Sequence, residues 1–290
     1  MPLQQFLYGT KGFLMSESEL WITERQTPDL SLSIKVKEIL FRKRSPFQEI
    51  LMVDSYQFGK VLFLEGTFQT TEKDEFFYHE MITHVPLFSH PKPEEILVIG
   101  GGDGGTLREI LKHRSIKEAV LVEIDKDVVE VSKRFLPFYN AFQDERRFRI
   151  EIGDGIKYVE DHTNKFDVII VDSTDPVGPA EGLFSKEFYE NCYRALKADG
   201  ILVTQSESPF LHTAFIKKIK NTIDKIFPIS MVYTTPVPTY PSGYWSFTIG
   251  SKVYNPSIPQ REPDFETRYY TPEIHRASFV LPKFMKDAGI

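Results

Sequence analysis

The junction between a strand-length apolar run, Ile96-Leu-Val-Ile99, and the loop Gly100-Gly-Gly-Asp-Gly-Gly105 constrains this chain more than any other stretch. Five of the six loop residues are glycine, and a helical pattern leaves the loop at Thr106-Leu-Arg-Glu-Ile-Leu-Lys-His113. A strand that turns this tightly into a helix brings backbone N–H groups close to a ligand at the helix start, where a Cβ would collide. A second strand pattern, Val120-Leu-Val-Glu-Ile-Asp125, places the acid Glu123 20 residues after Asp103, a spacing suited to hydrogen bonding of ribose hydroxyls. The pair of features predicts an adenosine-like ligand across the carboxyl ends of parallel strands.

Gly100, Gly102 and Gly105 also satisfy the dinucleotide pattern G-x-G-x-x-G, which taken alone is weak. Asp103 argues against it. A carboxylate in the middle of the loop repels a pyrophosphate and attracts a cation, which predicts a ligand with an ammonium or sulfonium end. The alternative for Asp103 is a cap on the following helix.

Around this centre the 290 residues suffice for one large and one small domain. A segment at 1–14 shows no clear period and reads as an amino-terminal extension, either an alternative start or an arm used in assembly, of which the second is taken as the expectation. Its deletion is expected to change oligomer size or stability, measured by light scattering and thermal melting, more than turnover per active site. From 15 to 71 the patterns are short and β-like (Leu20–Thr23, Leu32–Val36, Glu49–Val53, Lys60–Leu64), which predicts a small antiparallel β domain. From 72 to 290 a Rossmann-like catalytic domain is expected, entered through a helix and linker at 72–93 that His90-Pro-Lys-Pro93 ends. Strand patterns at 95–99, 118–123, 147–152, 166–171 and 200–205 alternate with helical patterns near 106–113, 126–135, 155–162 and 185–198. Alternation of this kind predicts an α/β fold with a parallel sheet. A helix over 211–227 and strands over 229–234 and 244–250 complete a methyltransferase-type seven-stranded sheet.

Four successive strands end in acids: Asp103, Glu123, Asp154 followed by Gly155, and Asp172-Ser-Thr-Asp175. Carboxylates converging on one crevice repel one another unless a cation compensates, so the ligand is expected to be positively charged. A metal fits poorly, since His79 and His84 stand five apart rather than at the spacing of H-E-x-x-H, and no cysteine cluster exists. Tyr78, Gln48, Gln69 and Tyr240 suit an organic cation, offering hydrogen bonds and π faces. The one cysteine, Cys192, lies in a helical pattern and reads as core. A net charge of −6 disfavours nucleic acid as a partner. With 41% hydrophobic and 26% charged residues, no apolar run approaching a membrane span and no leader pattern, a cytoplasmic protein with no membrane association is expected.

Together with the glycine loop, Val122-Glu-Ile-Asp125, Val171-Asp-Ser-Thr-Asp-Pro-Val-Gly-Pro179, Tyr78-His-Glu-Met81 and Pro238-Thr-Tyr-Pro-Ser-Gly243 resemble the polyamine aminopropyltransferases of the bacterial spermidine synthase type, from about residue 19 to the carboxyl terminus. The resemblance implies transfer of an aminopropyl group from decarboxylated S-adenosylmethionine to putrescine, giving spermidine and 5′-methylthioadenosine. The sulfonium nucleoside is then a co-substrate, with no cofactor and no metal, and the protein a homodimer or homotetramer. Carried over by motif, Gln48, Glu123, Asp154, Gly155 and Pro179 hold the nucleoside, and Asp103 and His79 face the aminopropyl end. Asp172 is the base beside the attacking amine, and Tyr78, Ser173, Thr174, Asp175 and Tyr240 line the acceptor channel. Rival readings are an S-adenosylmethionine-dependent amine methyltransferase on the same scaffold, a non-catalytic polyamine or nucleoside sensor, and an NAD-dependent dehydrogenase.

Overall fold

In the computed structural model, which describes residues 19–174 and 178–290, the amino-terminal β patterns become one antiparallel sheet. Its strands, in spatial as in chain order, are β1 (Leu20–Thr27), β2 (Leu30–Arg44), β3 (Glu49–Ser55), β4 (Gly59–Leu64) and β5 (Thr67–Thr71). The period of two decides what each face meets. On one face Ile34, Val36, Val53, Val61, Phe63 and Phe68 pack together; on the other Ile50, Met52, Leu62 and Leu64 pack on Val128, Val131, Leu136 and Phe138. Each such side chain contributes roughly 1.5–3 kcal/mol when fully buried, and the second face fixes the sheet above the segment 128–138. β2 runs far beyond the predicted Leu32–Val36, because register shifts at Val36/Glu38 and Ile39/Phe41 break its alternation while the ladder to β3 continues. β5 was not predicted; its Thr67-Phe-Gln-Thr-Thr71 carries a single apolar residue.

After α1 (Glu75–Ser89) the chain alternates: β6 (Glu95–Gly100), α2 (Gly105–Leu111), β7 (Glu118–Glu123), α3 (Lys126–Phe135), β8 (Phe148–Ile152), α4 (Gly155–Glu160), β9 (Phe166–Asp172), α5 (Lys186–Ala195) and β10 (Leu196–Gln205). Then come α6 (Thr213–Ile223), β11 (Ile229–Pro236), β12 (Tyr244–Ser251), α7 (Pro272–Ser278) and α8 (Lys283–Asp287). The second sheet has the order β11-β12-β10-β9-β6-β7-β8, with β12 antiparallel to both neighbours and the five strands β6 to β10 parallel. This is the Rossmann-like, methyltransferase-type arrangement expected from the alternation. The predicted helix over 185–198 stops at Ala195, since Leu196 is already extended (φ −72°, ψ 141°) and a bulge between Leu196 and Ile201 delays the regular ladder to about residue 200. The helix expected over 211–227 is cut to Thr213–Ile223, and α7 and α8 were not predicted.

From β6 the chain moves outward through β7 and β8, then returns to place β9 on the other side of β6. In an open α/β sheet this reversal opens the ligand crevice at the carboxyl ends of the two strands. Gly100 and Asp172 are register partners there, so the glycine loop and the fourth strand-end acid are side by side. α1 packs across this region, and its orientation is fixed from behind by Glu80, a buried carboxylate that accepts hydrogen bonds from the backbone N–H groups of Arg268 (2.7 Å), Tyr269 (2.8 Å) and Tyr270 (2.7 Å). The extension at 1–14 and Asp175 lie outside the described residues, as does the side chain of Pro179.

Candidate active site

A cavity of about 590 Å³ opens at the carboxyl ends of the parallel strands. It is lined by Gln48, Gln69, Tyr78, His79, Asp103, Glu123, Asp154, Gly155, Asp172, Ser173, Thr174 and Tyr240, so residues spread over 193 positions of chain meet in one place (Tyr240 less Gln48 is 192 steps). The loop can close over β9 only because Gly100 lacks a side chain: its φ is +82° and a Cβ would lie 2.1 Å from the Asp172 carbonyl oxygen. That carbonyl accepts the Gly101 N–H at 2.8 Å. At Gly105 a Cβ would fall 2.1 Å from His79 Cε1, which is how α2 comes so close to α1.

The four strand-end acids sit in different environments. Asp103 accepts the Gly105 N–H at 2.8 Å and lies 3.2 Å from His79 Nε2, so it braces the loop while also facing the cavity. The N-cap of α2 is Gly104 rather than Asp103, so the carboxylate supports the first helical residue from just outside the helix. Burial works against its charge, but the neighbouring His79 cation outweighs this and holds its carboxyl below the usual range. Glu123 accepts the N–H groups of Asp125 (2.9 Å) and Gly102 (3.2 Å), and burial pushes it up to about 7. Asp154 caps α4 through the Ile156 N–H at 2.8 Å and also lines the cavity. Gly155 follows it under Ile99, where a Cβ would be 2.4 Å from Cγ2. Asp172 accepts the Tyr78 hydroxyl at 2.8 Å and the Thr106 hydroxyl at 2.6 Å. Burial, and after it the Asp103 charge, raises its pKa above the ordinary carboxylate range.

Other predicted residues are held by the scaffold. Gln48 donates to Asp125 at 3.1 Å, and Ser45 donates to the same carboxylate at 2.6 Å, tying the amino-terminal sheet to the cap of α3. The Tyr240 hydroxyl donates to the Gln69 carbonyl at 2.6 Å, and its ring lies 5.5 Å from that of Tyr78, forming an aromatic wall. The Thr174 carbonyl is 3.4 Å from Gln205 Nε2, and the Ser173 hydroxyl has no hydrogen-bond partner among the described residues. His79, expected to face the aminopropyl end, lines the cavity with both nitrogens engaged: Nδ1 is 2.6 Å from Glu75 and Nε2 faces Asp103, so it offers the cavity ring surface. Repulsion among the acids is thus partly relieved inside the protein, by His79 and by the hydroxyls on Asp172, and only in part left for a ligand.

The amino-terminal profile described as the spermidine synthase tetramerisation domain matches residues 20–72, and the profile described as the spermine/spermidine synthase domain matches residues 75–260. The chain belongs to the spermine/spermidine synthase family. Among relatives in this family, the polyamine aminopropyltransferase of Thermoanaerobacter pseudethanolicus is 54% identical over 275 residues, 93% of this chain and 98% of that one. The one from Bacillus subtilis is 51% identical over 272 residues, 93% and 99% of the two chains. A crystal structure of spermidine synthase with the transition-state analogue AdoDATO superposes with a TM-score of 0.89 at 43% identity, covering 93% of this chain and 94% of that one. Spermidine synthase from Thermotoga maritima gives 0.86 at 42%, covering 93% of each. The chain is accordingly an enzyme of the polyamine aminopropyltransferase class.

Sequence reasoning missed several residues of the site. Thr106 gave no signal beyond following the glycine loop, yet it holds one oxygen of Asp172. Tyr139, in a short 3₁₀ turn after α3, donates to the Gly102 carbonyl at 3.0 Å. Glu75 stands four residues before His79, a helical pair spacing that could have been read. Among the described residues, His90, Asp167 and Asp199 have metal-like spacing, but Asp167 and Asp199 lie near the amino-terminal ends of β9 and β10, away from the cavity at the carboxyl ends. There Lys197 Nζ already sits 2.9 Å from Asp167. Also among the described residues, no helix is long and apolar enough to cross a membrane.

Proposed function

We propose that the cavity binds decarboxylated S-adenosylmethionine and putrescine, and that the enzyme makes spermidine and 5′-methylthioadenosine. The observation that carries this reading is the pairing of two acids with opposed surroundings in one cavity: Asp103, held against His79 and kept acidic, and Asp172, made more basic by burial and the Asp103 charge. In this reading Asp103 takes the ammonium of the aminopropyl chain. Glu123 accepts from the ribose hydroxyls, and Gln48, Asp154, Gly155 and Pro179 hold the rest of the nucleoside. Tyr78, Ser173, Thr174, Asp175 and Tyr240 orient the diamine. The attacking nitrogen forms a bond to the carbon beside sulfur as the carbon–sulfur bond breaks. The sulfonium becomes a neutral thioether, and the proton lost from nitrogen goes to Asp172. Alignment of the neutral amine supplies most of the rate, since the donor carries its own activating charge and no resident cofactor or metal enters the step.

The test is incubation with putrescine plus either decarboxylated or ordinary S-adenosylmethionine, followed by mass spectrometry. Spermidine from the decarboxylated donor alone is the expected product; a methylated amine from the ordinary donor would make this a methyltransferase, and no product a sensor. Cadaverine, agmatine and spermidine in parallel reactions measure the acceptor range. The amino-terminal sheet is assigned to association as a homotetramer. It leaves Trp21 52% and Tyr56 63% exposed, and the matched profile is a tetramerisation domain. A monomeric mass in light scattering would overturn that assignment.

A further inference from the structure

The carboxylate of Glu75 does not line the cavity, yet it is buried beside it and grips a residue that does. Its Oε2 lies 2.6 Å from His79 Nδ1 and 2.7 Å from Arg108 Nη2, while Oε1 faces Arg268 at 3.9 Å. His79 in turn places Nε2 3.2 Å from Asp103. An ionised carboxylate only accepts hydrogen bonds, so an imidazole held between two of them donates from both nitrogens and carries a positive charge. We infer that Glu75 is a positioning residue for the donor: it fixes His79 in the doubly protonated form, and the ring then aims and holds the Asp103 carboxylate toward the cavity. This rests on the donor reading given above.

The alternating charges are continuous. Arg108 also binds Glu109 through Nε at 2.7 Å, and Glu109 accepts from His84 Nε2 at 3.0 Å, so Glu75 is itself held by a cation that a second buried acid anchors. His84 then meets His113, with Nδ1 3.0 Å from His113 Nε2. α1 and α2 are thus joined by a row of ionic hydrogen bonds that ends at Asp103. Burial opposes charge on the His79 ring, but Asp103 and Glu75 outweigh it and push its pKa well up. Without Glu75 the buried ring has one carboxylate instead of two, and its remaining proton is free to sit on either nitrogen. A lone pair at Nε2 would then face Asp103 and turn it from its present direction.

Calorimetric titration of decarboxylated S-adenosylmethionine and of 5′-methylthioadenosine separates positioning from general support, because the second ligand lacks the aminopropyl ammonium. Glu75→Ala is expected to weaken the decarboxylated donor about tenfold, the scale of one charged hydrogen bond, and to leave the nucleoside product within about twofold. Glu75→Gln is isosteric and can keep an oxygen between His79 and Arg108. It tests the same point without a hole, with an expected loss of about threefold for the donor only. Equal weakening of both ligands in both variants, or of neither, would reduce Glu75 to a strut between α1 and α2. Failure of the wild-type enzyme to bind the donor at all would overturn the donor reading itself, and is recognised before any variant is compared.

Discussion

Asp172→Asn is expected to slow turnover by about 10²- to 10⁴-fold, the scale of a lost general base, while donor affinity stays within a few-fold. The substitution is nearly isosteric. An amide oxygen can still accept the Tyr78 hydroxyl, and its NH₂ can donate to Thr106 Oγ1, so the two anchors of the side chain survive. What is lost is a carboxylate whose basicity burial and the nearby Asp103 charge have raised. The sign of the pH dependence follows. Below its raised pKa Asp172 holds a proton and cannot take another, and the diamine, with an alkylammonium pKa of roughly 10.4, is mostly charged at neutral pH. Both groups lose protons as pH rises, so wild-type activity increases toward alkaline pH. The variant's residual activity should rise as well, following the amine alone. Single-turnover rates across pH make the comparison, and near wild-type turnover in the variant would remove Asp172 from the mechanism.

Asp103→Asn is expected to change which donor binds. Decarboxylated S-adenosylmethionine ends in an ammonium alone, whereas the parent also brings a carboxylate toward Asp103. Two like charges about 4 Å apart cost roughly 4 kcal/mol at an effective dielectric of 20. The parent keeps its own ammonium, and His79 offsets part of the Asp103 charge, so half that figure is a fair working value. About 2 kcal/mol corresponds to roughly a thirtyfold preference. The variant should therefore bind the decarboxylated donor up to about thirtyfold more weakly and the parent equally well or slightly better. Titration of both donors into both proteins measures this. Equal losses for both would leave Asp103 with only its bonds inside the protein, to Gly105 and His79, and assign donor choice elsewhere.

The sheet and its crevice were legible because strand ends, glycines and acids sit close together in sequence. Ile96 to Thr106 spells a strand, a turn and a helix start, and each following strand announces its end with Glu123, Asp154 or Asp172. Which acid would be the more basic was not legible. Asp103 and Asp172 are the same residue type, and what separates them is His79 on one and two hydroxyls on the other, contacts that cross 24 residues (103 less 79) and 94 residues of chain. The cation expected from a ligand turned out to be supplied in part by the protein, since no sequence pattern shows an imidazole clasped between two acids that lie on different elements. β2 and β10 were misjudged for a simpler reason: bulges break the period of two on which the reading depends.

The three hydrogen bonds on Glu80 also bear on how the enzyme is made. Tyr78 and His79 immediately precede Glu80, whose donors lie 188 to 190 residues further along the chain. A growing chain can complete the parallel sheet with the strand that ends at Gln205 while Arg268, Tyr269 and Tyr270 are still unsynthesised. Until they arrive, a carboxylate destined for the interior has only water to satisfy it, and water must stay where the finished protein is dry. The helix that carries Tyr78 and His79 is therefore seated only after a segment far downstream of the parallel sheet has been made, so this wall of the cavity sets later than the sheet it stands on.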